Sequence, residues 1–78
     1  MDAFWKEPVV LSMPSEDVKV VASARDAMDS MMYWPHRREK SYRKAVRACL
    51  FALVGEKTPD KARKAFVNAA KDVDYLHH

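Results

Sequence analysis

The sequence predicts an α+β domain in which an N-terminal β-hairpin is followed by three α-helices. Three observations carry that expectation. Two short β-branched runs stand near the N-terminus, helical apolar spacing takes over after Ser23, and helix punctuation falls at Pro35, Gly55 and Pro59. With 78 residues the chain makes one domain, near the size at which a single core just suffices without disulfides or a metal.

The elements follow in order. Pro8 to Met13 (PVVLSM) and Val18 to Ala22 (VKVVA) read as the two strands of a hairpin over about residues 8–22. The separator Pro14-Ser15-Glu16-Asp17 is made of turn formers and holds no glycine, which predicts a loop of about four residues rather than a tight primed turn. Pro8 suits the first position of an edge strand, where its missing N–H does no harm. Phe4 and Trp5 then precede the strand and pack onto the hairpin or a helix. Ser23 with Asp26 resembles a capping box, and Ala24, Ala27, Met28, Met31 and Met32 share one helical face, giving a first helix over about 23–33. Pro35 ends it by driving Trp34 out of the helical region. The second helix, about 39–54, stops at Gly55, the single glycine of the chain, placed where a left-handed cap is wanted. Thr58-Pro59-Asp60 opens the third, about 58–73, as N-cap, N1 proline and first-turn acid. Its stripe is Ala62, Ala65, Phe66, Ala69, Ala70 and Val73. Leu76-His77-His78 reads as a tail, native or left from a purification tag.

Composition limits the setting. Cys49 is the one cysteine and has no internal disulfide partner, which fits a reducing, cytoplasmic compartment. MDAFWKEP has no apolar signal region, and the longest apolar run, Ala48 to Val54, is far short of a membrane span. A two-stranded sheet and the surplus apolar residues Met32, Phe51 and Val67 leave room for a homodimer.

The combination of FWKEPV, S..DAM, YWP, YRKAVRACLFALVG and ARKAFVNAA, running from Phe4 to about Asp72, resembles a family of small bacterial proteins, domain-of-unknown-function family 982. Its signature pieces are Trp5, Pro8, Trp34-Pro35, Cys49, Gly55, Ala62-Arg63 and Ala65-Phe66. The resemblance implies a small α+β domain and brings with it no activity, cofactor or catalytic residue.

The residues themselves offer little chemistry. One glycine is too few for a phosphate-cradling loop or a dinucleotide fingerprint. Cys49, His36 and His77-His78 are not at metal-ligand spacing, so neither a metal nor a cofactor is expected. Cys49 sits among Ala48, Leu50 and Phe51, where a thiol packs as a small hydrophobe. His36 is the sole internal histidine, in a basic loop with no acid beside it to orient it as a base. Asp26 and Asp29 form an outward carboxylate pair that reads as solvated or as facing the bases of the second helix. The methionine cluster suits core filling better than a partner groove, and Trp5 and Trp34 are expected to anchor the two ends of that core. The expectation is a chain that is not an enzyme.

The charge is uneven. Residues 1–35 carry three bases and six acids, residues 36–47 six bases and one acid, and residues 48–78 five bases and four acids. At about 100° per residue, Tyr42, Ala45, Val46, Cys49 and Leu53 fall on one side of the second helix. Lys40, Arg43, Lys44 and Arg47 fall on the other, with Arg37 and Arg38 just ahead. Phe51 and Val54 then continue the basic side with apolar groups, which predicts a helix wet at its start, buried all round at its end, and central to the domain. Bases at a helix start oppose its macrodipole at about 0.3–1 kcal/mol each. Either Asp26 and Asp29 face them and the patch is partly neutralised, within the fold or across a dimer, or the bases are free and bind an anion.

The preferred reading is a non-enzymatic protein-interaction or regulatory module, its partner an unidentified protein or a second copy. The alternative is weak, salt-sensitive nucleic-acid binding through Arg37, Arg38, Lys40, Arg43, Lys44 and Arg47. Base-specific reading is not expected, because the chain lacks glutamine and its one asparagine, Asn68, is on another helix.

Overall fold

The computed structural model describes residues 3–14, 16–35 and 39–77. Along the chain run β1 (Phe4–Met13), β2 (Glu16–Ser23), α1 (Ala24–Met31), α2 (Lys40–Leu53) and α3 (Pro59–Asp72). The α+β hairpin-plus-three-helix architecture is the one expected.

The hairpin departs from expectation in three ways. The strands leave only positions 14 and 15 between them, because Glu16 already pairs with Met13 and so joins the ladder. The expected four-residue loop is therefore too long. β1 begins at Phe4, so Trp5 and Phe4 belong to the strand, and Pro8 lies inside it. Proline is tolerated there because the register shifts between Phe4 and Val9, a bulged stretch where no ladder donor is needed. Trp5 is buried while Phe4 points outward, 69% exposed.

The chain also supplies β1 with a second neighbour. After α3 it returns alongside β1. The Ser12 amide donates to the Tyr75 carbonyl at 2.7 Å, the His77 amide to the Val10 carbonyl at 3.0 Å, and Leu76 bridges Leu11. Leu76 and His77, read above as a tail, thus lie along the sheet. Leu11, flanked on both sides, is fully buried.

Helix ends follow local chemistry. Ser23 Oγ accepts from the Asp26 amide at 3.0 Å, and Asp26 Oδ2 accepts from the Ala22 amide at 3.3 Å, a capping box reaching back one residue further than usual. Thr58 Oγ1 accepts from the Lys61 amide, with Pro59 at the first helical position. α2 ends as a Schellman motif: Gly55, at φ +80°, donates to the Ala52 carbonyl and Glu56 to that of Phe51. α3 ends the same way on Asp74, at φ +58°, with Asp74 donating to Lys71 and Tyr75 to Ala70. α1 stops at Met31, slightly earlier than expected, and Met32 is turned out to solvent.

The centre belongs to α3, which packs against α2, β1 and α1. α2 packs on α3 and α1 and has few contacts with the hairpin, so the expected central placing of α2 is wrong. The reason lies in side-chain size. α2 turns only Ala45, Cys49 and Ala52 fully inward, whereas α3 carries Phe66, which meets both tryptophans at 5.6 Å. Trp34 also meets Tyr75 edge-on at 5.2 Å and Tyr42 at 6.2 Å. Arg63 fastens α3 to β1, its Nε donating to the Glu7 carbonyl at 2.8 Å.

Candidate functional site

α2 is positioned at both ends by groups outside it. At its start the Tyr42 hydroxyl donates to the Met31 carbonyl at 2.9 Å, tying the helix to the end of α1. At its end the Gly55 cap turns the chain directly into α3. A short connection makes consecutive helices antiparallel neighbours, so positions equally far from that turn come side by side. The two helices pack on one another, and the small buried residues Ala45, Cys49 and Ala52 of α2 and Ala62 and Ala69 of α3 suit close packing.

Lys40, Arg43, Lys44 and Arg47 are all exposed, as expected. His36, Arg37 and Arg38 lie outside the described residues. Among the described residues, neither Asp26 nor Asp29 pairs with these bases: Asp26 is engaged in the α1 cap, Asp29 faces solvent, and the ion pair found is Arg63–Glu7 at 4.0 Å. Among the described residues of one chain, the acids of α1 therefore make no ion pair with Lys40, Arg43, Lys44 or Arg47. Glu39, the N-cap residue of α2, makes no side-chain capping bond. Repulsion between bases three and four residues apart costs about 0.2–0.5 kcal/mol per pair. The start of α2 thus presents exposed bases that make no ion pair among the described residues.

The fold adds to that charge. Between α2 and α3 run two adjoining depressions of about 410 and 310 Å3. The first is lined by Lys40, Ser41 and Lys44 of α2 and by Asn68, Lys71 and Asp72 of α3. The second adds Arg47 and Phe51 of α2, with Lys57 and Lys61 opposite. Lys44 and Ala65 belong to both. Lys57 Nζ stands 5.7 Å over the Phe51 ring, which places that cation above an apolar floor. Lys57, Lys61 and Lys71 were missed in the sequence because their segment is almost neutral in sum. The antiparallel helix pair brings these bases beside those of α2 with Asp72 the one carboxylate in the depressions, and counting outward from Gly55 along both helices is the signal that finds them.

The opposite flank of α2 is different. Tyr42, Arg43, Val46, Arg47 and Leu50 line a shallow hollow of about 290 Å3 facing away from α3. Leu50 is 48% exposed and Val54 68% exposed, so the expectation of a helix buried all round at its end is overturned. Phe51 and Leu53 are half-buried. Because α3 covers only one flank and α1 is short, the last turns of α2 keep an apolar side in solvent.

The candidate nucleophile is closed off. Cys49 is fully buried, and desolvation pushes its thiol from an ordinary 9.0 up to about 12. No group of three or more histidines, cysteines or carboxylates able to hold a metal occurs among the described residues. No helix there is long and apolar enough to cross a membrane.

Comparison with known proteins agrees with the architecture. Residues 7–76 match the model of a family described as Protein of unknown function (DUF982). A structural-genomics target from Agrobacterium tumefaciens, solved by NMR, superposes with a TM-score of 0.81 at 28% identity, covering 99% of this chain and 78% of that one. No curated protein matches.

Proposed function

Since the chain belongs to the DUF982 family, whose description names no activity, we propose from its surface that it is a non-enzymatic binding module acting through protein contacts. One observation carries this reading: Leu50 and the C-cap residue Val54 are exposed at the end of α2, and half-buried Val46 shares a hollow with Leu50, Arg43 and Arg47. Apolar residues framed by arginines are the composition of an interface centre. The charge selects the partner, a segment of another protein whose apolar residues are flanked by carboxylates. The burial of Cys49 supports a binding role over a catalytic one.

Titration of the labelled protein with an acidic amphipathic helical peptide, followed by amide NMR, tests this. Shifts are expected at Val46, Leu50 and Val54, and they should vanish in Leu50→Glu and with a peptide of the same composition in scrambled order. Shifts scattered over the surface, or unchanged by Leu50→Glu, would defeat the reading. Sedimentation of the same variant identifies a second copy as the occupant if its loss of self-association accompanies the change.

A second reading, weak polyanion binding through the start of α2, is favoured by a separate observation. Lys40, Arg43, Lys44 and Arg47 are exposed and make no ion pair among the described residues.

A further inference from the structure

We infer that the anion-binding surface is the seam between α2 and α3, and that its ligand is the phosphate backbone of a single-stranded nucleic acid. This rests on the polyanion reading, keeps its Lys40, Lys44 and Arg47, leaves out Arg43 and adds Lys57, Lys61 and Lys71. Lys40, Lys44, Arg47, Lys57, Lys61 and Lys71 line the two adjoining depressions, with Asp72 the one carboxylate among them. All six cations are exposed, and none forms an ion pair among the described residues. Arg47 borders both the seam and the apolar hollow, whereas Arg43 lines the hollow alone.

Size excludes reading of a duplex groove, and the shape of the trough favours a single strand. A helix with its side chains is about 10–12 Å across, close to the roughly 12 Å width of a major groove. Two helices packed about 8–10 Å apart make a face too broad to enter it. Cations placed in the seam therefore remain outside a groove and cannot reach base edges. A trough between two helices is instead the shape that follows one backbone, and fourteen helical residues give it a length of about 21 Å. Such a surface holds phosphates with little sequence preference.

Fluorescence anisotropy with a labelled oligothymidylate at several salt concentrations provides the test, with a duplex of equal length and heparin as comparison ligands. Lys61→Glu, Lys71→Glu and Arg43→Glu make equal changes in charge, and circular dichroism confirms that each remains folded. The seam predicts tighter binding to the single strand than to the duplex. It predicts a slope of log K against log salt near −4 for about six phosphate contacts. It also predicts at least tenfold weaker binding in Lys61→Glu and Lys71→Glu, with a smaller effect in Arg43→Glu. Weakening by Arg43→Glu alone would overturn the seam while leaving polyanion binding at the start of α2 intact. Binding to heparin without the oligonucleotide, or equal binding to the duplex, would overturn the choice of ligand. No binding to any of the three at low salt would overturn this inference and the polyanion reading together.

Discussion

The phenyl ring of Phe66 packs against both tryptophans of the chain, its centroid 5.6 Å from Trp5 and 5.6 Å from Trp34. One side chain of α3 thereby joins β1 to the segment leaving α1. Aromatic pairs at this separation add to the apolar area they bury. Phe66→Ala is expected to cost about 3–5 kcal/mol, and Phe66→Leu clearly less, because leucine refills part of the space. Urea unfolding followed by tryptophan emission measures both; a loss below about 1 kcal/mol for the alanine variant would mean that the three rings are not the centre of the core.

That relationship could not be read from the sequence, and the reason is general to this chain. Ser23, Thr58-Pro59 and Gly55 act within a few residues of themselves, so helix starts and stops were legible to within a residue or two. Phe66 looked like one member of an alanine stripe, and nothing local says that two distant tryptophans converge on it. The central place of α3 was hidden for the same reason. Tyr75, Leu76 and His77 are too few to display a strand period, so their pairing with β1 left no pattern. Of the cationic surface, the α2 half was legible because its bases are consecutive on a wheel. The α3 half needed knowledge of which helix lies beside which.

Burial of Cys49 ties stability to alkaline pH. Its folded pKa, about 12, stands above the ordinary 9.0. Below pH 9 both folded and unfolded thiols keep their proton, and the contribution is complete. Between about 9 and 12 the unfolded thiol ionises while the folded one does not, so stability falls as pH rises. Cys49→Ala should flatten this decline relative to the unaltered protein, although it starts from a lower stability. Thermal unfolding at pH 8, 9, 10 and 11 gives the comparison. A thiol reagent at pH 8 should label Cys49 only at the rate of global opening.

Gly55 has open space where a Cβ would stand, with no atom within 4 Å. Its substitution therefore tests backbone conformation alone. At φ +80°, Gly55→Ala should cost about 1 kcal/mol and Gly55→Asn less, since asparagine tolerates the left-handed region. Thermal denaturation monitored at the helix band resolves the difference. Equal stability for all three would mean that α2 does not need this cap.

Tyr75 serves the core and the sheet together. Its ring meets Trp34 edge-on, and its carbonyl accepts from Ser12. Removal of residues 75–78 should lower stability by about 3 kcal/mol or more. It should also raise hydrogen exchange at the Ser12 amide well above the rate of global unfolding, towards that of an unprotected amide. Continued slow exchange at Ser12 in the shortened chain would show that another acceptor holds it.

The antiparallel pairing of Val10 and Ser12 with Tyr75 and His77 has a bearing on how the protein is made. A ribosome delivers the hairpin before its second neighbour, so β1 waits with one row of amides unsatisfied while three helices emerge. Closing so long a loop carries an entropic toll, so this second pairing is expected to form late, after α3 is in place to present Tyr75.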